Sequence, residues 1–157
     1  MDALLLDGHR FAVGRAVEDD LPALVALLSD DPLGTARESR DLQPYLQAFR
    51  ELDEDPNQLL IAVRDEDDDV VGTLQLSLIP GLARAGAKRL QIEAVRLAAG
   101  TRGAGLGQAL LEWAHDYGRT HGATLAQLTS DKSRTDAHRF YEKAGYEASH
   151  EGFKRRL

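Results

Sequence analysis

Residues 102 to 108 read RGAGLGQ, an arginine followed by glycine at three alternate positions, and the chain turns apolar-periodic directly afterwards. A loop made almost wholly of backbone at the start of a helix presents successive unshielded N–H groups. The helix dipole behind them favours an anion. Arg102 adds a fixed positive charge beside it. Two familiar phosphate motifs do not fit. A P-loop ends in Gly-Lys-Ser/Thr, whereas Gly107 is followed by Gln108, and a G-x-G-x-x-G fingerprint starting at Gly103 needs glycine at 108. Two readings of the segment stay open: an anion site, or a tight strand-to-helix turn that binds nothing.

Other residues could carry chemistry. Gln91 and Glu93 alternate on one face of the segment RLQIEAVRL, residues 89–97, which reads as the strand leading into the glycine loop. Tyr141 sits beside Phe140 on the stripe Ala137, Phe140, Tyr141, Ala144, where a core aromatic is the plain reading. His115 and His121 lack metal-ligand spacing, so no metal site is expected. The chain has no cysteine, which removes disulfides, thiolate metal sites and cysteine nucleophiles together.

The elements that must position these residues are legible as a pattern. RFAVGRAV, residues 10–17, reads as a first strand, and EDDLPALVALLSDD as a helix with acids at its start and Pro22 in its first turn. A second helical region runs over 36–52, with a break expected at Pro44. QLLIAVR and VVGTLQLSLI read as antiparallel strands around the acidic turn at 65–69, with Leu74, Leu76 and Leu78 on a buried face. After the loop, a helix should bury Leu106, Leu110, Trp113 and Tyr117. A strand at 123–129 follows, then a helix with Ser133 as N-cap and Gly145 as C-cap, and a closing strand pair over 146–157. The order predicts an α/β fold: a mixed, mostly antiparallel sheet flanked by about four helices, in one domain over 1–157.

Composition bounds the setting. At 157 residues, 43% hydrophobic and 29% charged, the chain has the makeup of one globular domain. A net charge of −7 argues against a nucleic-acid surface, although the tail FKRRL is locally basic. MDALLLDGHRFAV is not a secretory signal, and no stretch approaches a membrane span, so a cytoplasmic protein is expected.

The motifs together resemble the GNAT family of N-acetyltransferases. RGAGLG matches that family's Arg/Gln-x-x-Gly-x-Gly/Ala element at Arg102, Gly105 and Gly107, and AHRFYEKAGY resembles its following helix. The GRAVEDDLPAL opening is similar to its first strand and helix. The resemblance implies acetyl-CoA as co-substrate, with no metal. Its pyrophosphate would be held by Arg102, Gly103, Ala104, Gly105, Leu106, Gly107 and Gln108, and its pantetheine amides would pair with the strand backbone at Val95, Arg96 and Leu97. His138, inside the second motif, would approach the coenzyme by the same resemblance, while on the residues alone a solvated helix face accounts for it equally well. Many members carry an asparagine in the loop before the last helix. This chain has Arg134 at that spacing, and Asn57 is its only asparagine, so the contact is either replaced by Arg134 or Ser133 or absent.

Amide formation from a thioester needs an uncharged amine, a path for its proton and an acid near the leaving thiolate. By resemblance Glu93 draws the amine's proton, commonly through water, and Tyr141 protonates the thiolate; a solvated or salt-bridged strand glutamate is the plain reading of Glu93. Without cysteine a thiol acyl-enzyme is excluded, so direct attack in a ternary complex is expected. The acceptor would be a small-molecule or peptide amine; the resemblance puts its pocket over residues 33–55, where the acids Glu38, Asp41 and Glu51 and the aromatics Tyr45 and Phe49 suit a cationic amine or equally an ordinary helix. The competing reading is a non-catalytic acyl-CoA binding module of the same fold. No nucleic acid or membrane partner is expected, and a homodimer is left open.

Overall fold

Asp7-Gly8 is the first turn of the fold. Both residues have positive φ, 49° and 85°, as a two-residue hairpin of primed type requires. They join β1 (Asp2–Leu6) to β2 (His9–Arg15) in register Leu6↔His9. The strand expected at 10–17 is β2, and β1 is an additional strand before it, paired through an Asp-Gly turn between apolar runs. The computed structural model describes every residue except Asp31 and Ala104.

A 3-10 turn at Glu18–Asp20 leads into α1 (Leu21–Ser29), and α2 (Pro32–Arg37) and α3 (Gln43–Glu54) follow. The helical region read over 36–52 is indeed interrupted, between Arg37 and Gln43, just ahead of Pro44. The proline lies in the first turn of α3, where its missing N–H costs nothing. β3 (Gln58–Arg64) and β4 (Val70–Ile79) are joined by the acidic turn, whose backbone N–H groups at Asp67 and Asp69 donate to Asp65 Oδ1 at 3.1 and 3.0 Å. A left-handed turn, α4 (Ala83–Gly86), precedes β5 (Lys88–Leu97), then α5 (Leu106–Thr120) and β6 (Ala123–Gln127).

The six strands form one sheet in sequence order, antiparallel throughout except for the parallel pair β5–β6. The predicted mixed, mostly antiparallel α/β architecture is therefore present. β4 is central and buried on both faces: Leu74, Leu76 and Leu78 on one, Thr73 and Ser77 on the other. Over the face that carries Leu60 and Ala62, a cluster of Ala16, Leu21, Leu24 and Phe49 joins α1 and α3 to the sheet. On α5 the buried stripe is Leu106, Leu110, Leu111, Ala114 and Gly118. Trp113 and Tyr117, expected in the stripe, flank it half-buried, and Trp113 Nε1 donates to Asp2 Oδ2 at 2.8 Å. Among the described residues no helix is long and apolar enough to cross a membrane.

Two units divide the chain, Met1–Gln127 and Leu128–Leu157. The second holds α6 (Thr135–Lys143), which ends at Gly145 with φ 89° and a Tyr146 N–H to Tyr141 carbonyl bond of 3.0 Å, a left-handed cap. The expected strand pair over 146–157 is absent among the described residues. Its large apolar side chains, Phe153 and Leu157, are 92% and 118% exposed, so a strand there would have no face to bury.

Gly118 is where α5 meets β5: a Cβ there would stand 2.9 Å from Leu90 Cδ2 and 3.3 Å from Leu90 Cβ. Gly118→Val should lower unfolding free energy by about 2 kcal/mol, the usual cost of overpacking. Urea titration of the two proteins measures it.

Candidate active site

β5 leaves the sheet at Leu97, and the chain tightens through a 3-10 turn at Ala99–Thr101 before reaching the glycines. Gly103 and Gly105 have φ of 88° and 80°, a region that L side chains rarely adopt. A Cβ at either would meet nothing within 4 Å, so conformation rather than crowding calls for glycine. Gly105 is the N-cap of α5 and supplies no side-chain cap. The first N–H groups of a helix have no partner within it, and here they follow a loop without large side chains. Ala104, one of the residues expected to line the coenzyme, lies outside the described residues.

The Arg102 side chain turns back from this loop. Its Nε donates to the Leu97 carbonyl at 3.1 Å, and a terminal nitrogen meets Asp30 Oδ2 at 3.0 Å. The arginine therefore ties the loop to the end of β5 and to the residue after α1. Asp30 had no place in the reading of the sequence, because 72 residues separate it from its partner.

β5 carries two irregularities that matter. Its pairing with β6 covers only Lys88 to Gln91, so the edge from Ile92 to Leu97 has no β6 partner. Its pairing with β4 slips between Gln75↔Glu93 and Thr73↔Arg96, and Ala94 has φ 52°. Together these mark a β-bulge, the kind of local kink that re-aims side chains. Glu93, just before it, is exposed; Val95, Arg96 and Leu97, just after, are half-buried. The Val95 carbonyl accepts from the Arg96 guanidinium at 2.8 Å. Because Leu60 pairs with Gln75 and Gln75 with Glu93, Glu93 lies on the sheet face that α1 and α3 cover elsewhere.

The acceptor-side residues have local work. Tyr45 Oη donates to Glu38 Oε2 at 2.7 Å and accepts from the Ser39 N–H at 2.8 Å. Burial pushes the Tyr45 phenol above its ordinary value; the Ser39 N–H opposes this and the Glu38 carboxylate adds to it. Asp41 Oδ1 accepts from the Gln43 N–H at the start of α3, Glu51 accepts from Gln47, and Phe49 is core.

In the second unit, Asp131 Oδ1 accepts from the Ser133 hydroxyl at 2.7 Å and from the Ser133 N–H at 2.9 Å. These bonds hold its carboxyl below the usual range, with help from the charges of Arg134 and Lys154. His138 Nε2 lies 2.8 Å from the Asp131 carbonyl, so that nitrogen carries the proton as donor. The N-cap of α6 is Arg134, not the expected Ser133, whose side chain is committed to Asp131. Tyr141 stacks edge-on with Phe140 at 5.2 Å and with Tyr146 at 6.0 Å between centroids.

Residues 18–146 match the model of the Acetyltransferase (GNAT) family. The aminoalkylphosphonate N-acetyltransferase of Salmonella typhimurium is 31% identical over 143 residues, 90% of this chain and 88% of that one. The chain belongs to the GNAT acetyltransferase family. Among solved structures, a transcriptional regulator from Bacillus halodurans C-125 is 40% identical with a TM-score of 0.88, over 94% of this chain and 99% of that one. A putative acetyltransferase from Agrobacterium tumefaciens str. C58, 24% identical, shares the fold with a TM-score of 0.81 over 93% of this chain and 99% of that one.

The N-acetyltransferase expected from the two motifs is thus borne out at the level of family and enzyme class. For this GNAT enzyme, three features of the site had no signal along the chain: the Asp30–Arg102 pair, the bulge at Ala94 and the parting of β5 from β6. Asp30→Asn should destabilise the fold by about 0.5 kcal/mol at low salt, since both partners are half-exposed. The difference should fade in 1 M salt, where the screening length is about 3 Å, as paired urea titrations would show.

Proposed function

We propose that the whole chain acts as one transferase domain, moving an acetyl group from acetyl-CoA to a small primary amine by direct attack in a ternary complex. The observation that carries the reading is the succession, in one stretch, of a strand half that the β6 ladder does not reach among the described residues and a glycine-led helix start with no side-chain cap. The N–H groups of Gly103 to Gln108, with Ala104 among them by sequence, suit a pyrophosphate. The edge at Val95 to Leu97, beyond the end of the β6 ladder, suits a ligand that brings its own amides, as an added strand does. Ser133, Arg134 and His138 are assigned to the coenzyme from the motif, with Ser133 and His138 also bracing the loop at Asp131.

When bound, acetyl-CoA supplies the acetyl thioester. Glu93, exposed beside the bulge, takes the proton that the amine gives up as its nitrogen bonds to the acetyl carbon. Tyr141 gives a proton to the sulfur as the carbon–sulfur bond breaks. The named amine class of the Salmonella relative puts aminoalkylphosphonates at the head of an acceptor panel, read by release of free thiol.

Tyr141→Phe keeps the ring and its edge contacts to Phe140 and Tyr146, so the melting temperature should hold. Turnover should fall by about 100-fold, the low end for a positioned acid. A variant as active as its parent would return Tyr141 to a packing role. For Glu93→Gln the loss should be in turnover, with coenzyme affinity retained. It should be greatest at low pH, where most of the amine is protonated. Equal activity of the two proteins from pH 6 to 9 would remove Glu93 from the mechanism.

A further inference from the structure

One line of side chains crosses four strands in register: Gln58 of β3, Ser77 of β4, Gln91 of β5 and Gln127 of β6. Directly paired residues share a sheet face, so all four lie on the face that carries Glu93. They are bonded to one another. The Ser77 hydroxyl donates to Gln58 Oε1 at 2.6 Å, and Gln127 Nε2 donates to Gln91 Oε1 at 2.7 Å. Gln75, on the next rung with Glu93, also donates to Gln58 Oε1, at 3.1 Å. A few residues away the same face is apolar and covered by α1 and α3. Ser77 is buried and the glutamines are half-buried, so their polar atoms are matched by these bonds, and the polar character of the rung contrasts with the apolar part of the same face.

Arg89 lies two residues before Gln91 on this face, and its guanidinium is 3.5 Å from Gln127 Oε1. The side chain therefore leans along the strand toward the Gln91–Gln127 rung and toward Glu93. Two residues of strand span about 7 Å, so the guanidinium stands about one such step from the rung of Glu93. That separation is too long for an ion pair between them. It fits a small molecule with an ammonium at one end and an anion at the other.

We propose that Arg89, steadied by the Gln91–Gln127 pair, binds an anionic group on the acceptor. The substrates are then small amines that bear a phosphonate or carboxylate a few bonds from the nitrogen. A guanidinium fork matches either oxyanion with two parallel bonds, which an amide cannot do. The proposal rests on the reading of Glu93 as the group that receives the amine.

The test uses the full chain, saturating acetyl-CoA and four acceptors of similar length: 2-aminoethylphosphonate, β-alanine, ethanolamine and propylamine. Thiol release should give the anionic amines a kcat/KM at least about 10-fold above the neutral pair, as one charge-assisted contact provides. Arg89→Gln should erase that preference, mainly by raising KM for the anionic amines, so that their loss exceeds ethanolamine's by about 10-fold or more. Arg89→Lys, which keeps the charge without the fork, should recover part of it. The ratio of the phosphonate to the carboxylate then tells which oxyanion the site prefers. Neutral amines turned over as well as anionic ones by the unmodified enzyme would overturn the proposal, as would equal losses on all four acceptors in both variants. Absence of thiol release with every amine is a different result, and it would count against the acetyl-transfer reading beneath.

Discussion

β5 changes the number of its partners halfway along its length, and the site follows from that. From Lys88 to Gln91 strands pair with it on both sides; from Ile92 to Leu97, among the described residues, β4 is its one strand partner. Backbone N–H and C=O groups demand partners wherever they are not solvated. A half-released strand inside a sheet therefore creates a one-sided row of donors and acceptors, at a fixed place beside the glycine loop. The bulge at Ala94 sits within the released half and separates Glu93, before it, from the backbone at Val95 to Leu97, after it. One strand thus carries a carboxylate on one side of a kink and, on the other, an edge outside the β6 ladder.

What stands behind that strand explains why it can be released without unravelling. α5 buries Leu106, Leu110, Leu111 and Ala114 completely and approaches β5 so closely at Gly118 that no Cβ would fit without a shift of Leu90. The loop that joins β5 to α5 is held by Arg102, whose bonds run to the Leu97 carbonyl and to Asp30. Its side chain anchors the loop. In the function proposed above, the N–H groups and the helix dipole attract the anion without any side chain having to reorganise.

The sheet face that carries Glu93 shows two characters. Where α1 and α3 lie on it, it is apolar around Leu60 and Ala62; along the Gln58–Ser77–Gln91–Gln127 rung it is polar and internally bonded. Acids and aromatics that looked suited to an acceptor by composition, such as Asp41 and Phe49, are instead engaged in starting a helix and filling the core. Residue type suggests what a position can do, and its neighbours decide whether it is available.

The sequence by itself determined the elements that rest on local physics. Helical periodicity located α1, α5 and α6, alternation located β3 to β5, and the acidic turn at 65–69 and the cap at Gly145 were legible from turn chemistry. The glycine loop was legible as a loop because positive φ demands glycine, and the anion it could hold followed from the helix start. The hairpin at Asp7-Gly8 was equally local and was passed over. Only the tertiary structure decided the rest. Arg102 with Asp30, the slip at Ala94 and the rung from Gln58 to Gln127 join residues far apart in the chain, through strand register. Register is set by which faces are buried against which helices, and no single segment carries that information.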